Sequence, residues 1–138
     1  MKKIIVFFAY IFLLTTIAPV ALAAQGKVVT SASGIKFATG GIGDEEVQTM
    51  RAIAKQFSLN LVFSEGEGGR ITGVNAVIFN EQGESVFYIK GANPLLYVDL
   101  PSGDYRIIAN YNGAKQGVVF NLAKGKNKKL ILNWKEAE

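Results

Sequence analysis

From Ser58 onward, apolar and polar residues alternate along the chain with a period of two, the repeat of strands whose side chains point in turn to opposite faces. Residues 59–63 (LNLVF), 74–79 (VNAVIF), 85–90 (SVFYIK), 95–100 (LLYVDL), 104–111 (DYRIIANY), 117–122 (GVVFNL) and 129–134 (KLILNW) read as seven short strands. The segments between them, EGEGGR (65–70), NEQG (80–83), GANP (91–94), PSG (101–103) and AKGKNK (123–128), are rich in turn residues. Asn112-Gly113 is a strong signal for a two-residue hairpin turn. Short strands at regular spacing with turns between them predict a sandwich or barrel.

The phase of each strand assigns faces. Tyr105, Ile107, Ala109 and Tyr111 point one way. Leu130, Leu132 and Trp134 share a face, as do Leu96, Val98 and Leu100, and Val118, Phe120 and Leu122. These are the expected inner positions. Two strands are apolar on both faces: Val77 and Phe79 lie beside Val74, Ala76 and Ile78, and Val86 and Tyr88 beside Phe87 and Ile89. A sandwich with both outer faces in water does not need that pattern, so a helix is expected over one outer face. Residues 44–57 (DEEVQTMRAIAKQF) supply it. Val47, Met50, Ile53, Ala54 and Phe57 recur at three- and four-residue spacing. Asp44 is the expected N-cap, Glu45 and Glu46 suit the positive end of the helix dipole, and Arg51 and Lys55 suit the other end.

Residues 1–23 have the three parts of a secretory signal. Lys2 and Lys3 form the positive start, residues 4–17 the apolar run, and Ala21-Leu22-Ala23 the small-residue cleavage site. The run is shorter than the ~20 residues of a spanning helix, so it is read as a cleaved signal rather than an anchor. Residues 24–43 are small, polar and glycine-rich, and read as a flexible N-terminal arm with a short strand near 35–37. Residues 44–138 then form a single domain. The protein is expected in the bacterial periplasm, or secreted, with no stable membrane insertion after cleavage.

Composition narrows the chemistry. The 138 residues contain no cysteine and no histidine. Disulfides and lipidation on cysteine are excluded, as are the Ser-His-Asp and Cys-His nucleophilic systems. Zinc or copper would have to rely on carboxylates. Net charge is +4, and Lys2 and Lys3 account for half of it, which is too little to argue for nucleic acid.

The run GVNAVIFNEQGESVFYIKGANPLLYVDLPSGDYRIIANYNGAKQGVVFNL resembles the carboxypeptidase regulatory-like, prealbumin-like (transthyretin-like) β-sandwich. Its turn glycine matches Gly83, and its L-P-x-G-x-Y signature matches Leu100, Pro101, Gly103 and Tyr105. The resemblance covers about residues 72–134. It implies a seven-stranded Greek-key sandwich with Tyr105 entering the core, and says little about function. GGIGDEEVQTMRAIAKQFSLNLVF is similar to the N-terminal part of small exported proteobacterial proteins. MRAIAKQFSLNLVF also resembles the helix–strand of the short N-terminal domain of secretins and TonB-dependent receptors, but the all-β run after it departs from that module. The transthyretin-like hydrolase of purine breakdown shares the architecture. Its activity uses histidines and a C-terminal tetrapeptide, and this chain has no histidine and ends NWKEAE.

Other candidates reduce to ordinary structure. GGIGDEE places glycines before a helix start, but its three carboxylates would repel an anion. Glu65, Glu67, Asp99 and Asp104 are the acidic residues that could meet near a loop, as a glycosidase pair or calcium ligands, but they lack calcium-loop spacing and read as ordinary solvated carboxylates. Lys124, Lys126, Lys128 and Lys129 read as a solubilising hairpin tip, with anionic lipid as the rival. Tyr88, Tyr97 and Trp134 could form an aromatic platform. Trp134 is assigned to the core by phase, and Tyr97, out of phase with Leu96 and Val98, is expected to be exposed.

The sequence therefore points to an exported, non-catalytic binding module without metal or cofactor. Its expected partner is another envelope protein or its own copies, and the alternative is a carbohydrate or peptidoglycan ligand. Tyr88, Tyr97 and Arg70 are the candidate binding residues. An exposed Tyr97 on a flat sheet would favour sugar, whereas an apolar patch or open strand edge would favour a protein.

Overall fold

The computed structural model describes residues 26–135. The expected signal peptide, residues 1–23, lies outside the described residues. The elements run β1 (Val29–Thr30), β2 (Lys36–Gly40), α1 (Asp44–Ile53) with a 3₁₀ turn (Ala54–Gln56), β3 (Leu59–Glu65), β4 (Gly69–Arg70), β5 (Val74–Asn80), β6 (Ser85–Ala92), β7 (Leu95–Asp99), β8 (Gly103–Tyr111), β9 (Ala114–Leu122) and β10 (Lys128–Trp134). They make a two-sheet β-sandwich with one helix. One sheet has six strands in the order β1-β2-β7-β3-β10, with β4 paired to β3, and the other has four in the order β6-β5-β8-β9. The β3–β10 pair is parallel and the other pairs are antiparallel.

Each of the seven expected strands is present. Three more strands are present: VT and GR, each two residues long, and KFATG, which contains the short strand expected near 35–37 and carries it on to Gly40. Thus part of the segment expected as an arm contributes β1 and β2. β2 pairs with β7 from Lys36↔Asp99 to Gly40↔Leu95, and its Phe37 and Ala38 are fully buried.

The main core lies between the sheets. Leu59, Leu61, Phe63, Leu96, Val98, Leu132 and Trp134 from one sheet meet Val74, Ile78, Phe87, Ile89, Tyr105, Ile107 and Phe120 from the other. The expected inner positions are buried, with Tyr111, Val118 and Leu130 half-buried at the margin. The hairpin at Asn112-Gly113 forms as the sequence predicts. Both residues have positive φ, 52° and 86°, which a two-residue turn needs if its twist is to match the strands.

The Pro-Ser-Gly turn delivers Tyr105 into this core. Its ring stacks on Phe120 at 5.7 Å, and its hydroxyl donates to the Pro101 carbonyl oxygen at 2.7 Å. That bond ties the start of β8 back to the turn before it.

The helix is shorter than the expected 44–57: it gives way to a 3₁₀ turn at Ala54, and Phe57 is already extended. Its N-cap is Gly43 rather than Asp44. The reason is local. The Glu46 carboxylate folds back to accept from the backbone N–H groups of Gly41 at 2.8 Å and Ile42 at 3.1 Å, so Asp44 can become the first helical residue. Gly41 permits the approach: its φ is 101°, and a Cβ there would sit 2.9 Å from Leu95 Cγ.

Val47, Met50 and Phe57 pack on Ala38, Leu95 and Tyr97 in a second, smaller core. The helix therefore covers the outer face of the six-stranded sheet. The strands that are apolar on both faces, β5 and β6, belong to the other sheet. No helix among the described residues is long and apolar enough to cross a membrane.

Candidate functional site

Among the described residues no helix covers the outer face of the four-stranded sheet, and strand register sets out its side chains in rows. Tyr88 on β6 lies opposite Val77 on β5, which lies opposite Ile108 on β8, and Ile108 faces Gly117 on β9. In the next row Phe79 lies opposite Arg106, and Arg106 opposite Val119. Val77, Phe79 and Ile108 are half-buried by their neighbours, Tyr88 is 39% exposed and Val119 is 75% exposed. The Arg106 guanidinium lies 5.7 Å from the centre of the Phe79 ring, a cation–π contact that holds the charge over the apolar surface. Asn75, Asn110 and Lys115 form the adjoining polar row, with Lys90 on the same face of β6. Asp104 is the one carboxylate on this face of β8 and β9, held by Asn121 Nδ2 at 2.9 Å.

This face is apolar because both residues of each doublet matter. Ile107 and Val118 point inward while Ile108 and Val119 point outward. In the sequence the second residue of an Ile-Ile or Val-Val doublet reads as spare hydrophobicity. The two-faced pattern at Val77, Phe79 and Tyr88 was the legible part of the signal, and Ile108 and Val119 were missed.

The three candidate aromatics do not form a platform. Tyr88 is on the face just described. Trp134 lies between the sheets, near Phe63 and Tyr111, with its indole N–H donating to the Ala114 carbonyl at 2.9 Å. Tyr97, expected to be exposed, is only 4% exposed. It lies on β7, an interior strand, and α1 covers the face to which it points, so both faces of that strand are buried.

Tyr97 and Arg70 nevertheless meet. They line a cavity of about 290 Å³ between the helix and the six-stranded sheet, together with Val47, Arg51, Asn60, Val62, Leu95 and Lys129. Burial raises the Tyr97 hydroxyl pKa above its usual value, and the nearby Arg51 charge opposes the rise. Arg70 also lies 3.7 Å from the Asp44 carboxylate, itself almost wholly in solvent.

The remaining candidates separate. Asp99 accepts from the Ser58 N–H at the start of β3, whereas Glu65 ends that strand roughly 20 Å further on. Among the described residues no group of carboxylates could hold a metal ion. Lys124 and Lys126 join Lys55 around an open hollow of about 720 Å³ beside Phe57 and Leu100, while Lys128 and Lys129 belong to β10.

No family model and no curated protein matches the chain. Among solved structures, the major pilin subunit BcpA of Bacillus cereus is similar over 56% of this chain and 28% of the pilin, at 16% identity and a TM-score of 0.39. The chain spans under a third of that protein's length.

Proposed function

We propose that this protein is an exported, non-catalytic binding module of the bacterial envelope, built on a carboxypeptidase regulatory-like sandwich. The outer face of its four-stranded sheet docks another protein. One observation carries the reading: the chain spends its only described helix on one sheet and leaves Val77, Phe79, Tyr88, Ile108 and Val119 contiguous on the other. A water-facing sheet normally alternates apolar inside with polar outside. A contiguous apolar patch with a polar border is the surface from which protein association gains most.

Charge selects the kind of partner. Arg106, Lys90 and Lys115 outnumber Asp104 on this face, so a second copy would bring like charges together. A partner with an apolar centre and an acidic rim is complementary. The burial of Tyr97 weighs against a sugar platform. Export rests on the signal pattern of residues 1–23 and on strands that need no disulfide.

The test is charge substitution on the face. Val119→Glu with Arg106→Glu replaces exposed side chains, so the fold should keep its melting temperature. The double variant should lose an acidic envelope protein that co-purifies with the parent at low salt. Retention of that protein by the folded variant would contradict the reading. So would capture of a polysaccharide in its place.

A further inference from the structure

We propose that the cavity between α1 and the six-stranded sheet binds a carboxylate carried on a small apolar body, either a free organic acid or the C-terminal residue of a peptide. The cavity lies on the opposite side of the sandwich from the docking face and stands independently of it.

Three features of the cavity converge. Its floor is apolar, made by Val62 and Leu95 with the Tyr97 ring, and Val47 and Ala54 on the helix close one side. Its rim holds three cations from three elements, Arg51 on α1, Arg70 on β4 and Lys129 on β10, and among the described residues no carboxylate lines it. Cations gathered over a low-dielectric surface repel one another unless an anion lies among them. The Asp44–Arg70 pair does little to relieve this, because it is long and solvent-exposed.

The third feature is the Tyr97 hydroxyl. The residue is 96% buried, yet its hydroxyl has no hydrogen-bond partner among the described residues. Among the described residues no wholly enclosed side-chain polar atom lacks a partner, so this hydroxyl reaches solvent where the cavity opens. As a phenol it is a donor at neutral pH, and it lies near the charge of Arg51. A guanidinium and a phenol offered side by side suit a planar carboxylate.

The floor decides the rest of the ligand. Inorganic phosphate would meet the cations but leave Val62 and Leu95 uncovered. A cavity of about 290 Å³ is at the lower end of small-molecule pockets, which suits one residue-sized group rather than a long chain.

The experiment titrates the protein purified from its producing cells with 3-phenylpropionate, its amide and inorganic phosphate, followed by calorimetry and by tyrosine chemical shifts. The acid should bind saturably and more tightly than either the amide or phosphate. Arg51→Gln, a change on the exposed helix surface, should weaken binding by about tenfold, the scale of one charge-assisted bond. Tyr97→Phe keeps the ring and its packing, and should weaken binding several-fold. A second arm compares Ala-Ala-Phe with its C-terminal amide. A peptide acid that binds more tightly than 3-phenylpropionate assigns the site to peptide C-termini, and the reverse order assigns it to free acids. Equal binding of acid and amide overturns the proposal, as does phosphate binding as tightly as the acid. Unchanged affinity in Arg51→Gln, or no saturation by about 10 mM, does the same.

Discussion

Truncating Tyr105 tests the turn that organises the second half of the chain. The residue is 8% exposed, and its ring is stacked on Phe120. Tyr105→Ala removes that packing and leaves a cavity, at a cost of ~3–5 kcal/mol. Tyr105→Phe keeps the ring and removes only the 2.7 Å bond to the Pro101 carbonyl. Pro101 is exposed, so its carbonyl can return to water and the cost should be about 1 kcal/mol. Urea denaturation followed by tryptophan fluorescence separates the two. Trp134 is the single tryptophan and is buried between the sheets, so its emission reports unfolding. With an m-value of ~1–3 kcal/mol/M, the alanine midpoint should fall by at least roughly 1 M, and the phenylalanine midpoint by about a third as much or less. An alanine variant within ~0.5 kcal/mol of the parent would refute the reasoning, because no buried aromatic truncates so cheaply. Equal losses in the two variants would show that the hydrogen bond, and not the packing, carries the turn.

Met50 is fully buried beneath the helix, so Met50→Asp places an unpaired charge there and should lower the melting temperature steeply; a parent-like melt would detach the helix from the sheet. Burial raises the Tyr97 pKa above the usual 10.0, so the neutral hydroxyl is favoured in the folded state. Its contribution is complete below pH 10 and is lost as pH rises through the raised folded value. Stability should therefore fall above pH 10, less steeply in Tyr97→Phe, and identical alkaline profiles would contradict this. Intact mass of the envelope-recovered protein should correspond to a chain starting at Ala24, and a mass that retains residues 1–23 would refute cleavage there.

Much of the sandwich was legible because period-two alternation and turn residues are local properties. The strands from Leu59 onward, the Asn112-Gly113 hairpin and the inward phase of Tyr105 needed no tertiary information. What the sequence hid were pairings. The short strand expected near 35–37 runs on to Gly40 because β7 offers it an edge and Phe37 a core, and neither is visible in KFATG itself. Tyr97 looked exposed because phase reports which face a residue occupies, and cannot report that a helix from elsewhere covers that face. Asp44 has the chemistry of an N-cap, but the helix starts one residue earlier, with Gly43 as its cap and the Glu46 carboxylate tied back to the Gly41 and Ile42 N–H groups. The candidate site divided in the same way. Val77, Phe79 and Tyr88 were visible as excess hydrophobicity, while the gathering of Arg51, Arg70 and Lys129 depends on three elements far apart in the chain.

Site-specific photocrosslinking tests the docking face most directly. A photoreactive residue is placed at 119, on the uncovered sheet, or at 48, on the exposed surface of the helix, and irradiated in intact cells. The account predicts one acidic protein adduct from position 119 and none from position 48. That adduct should fade when Arg106→Glu is added or when ionic strength rises. Equal adducts from both positions, or an adduct of twice the protein's own mass, would contradict it.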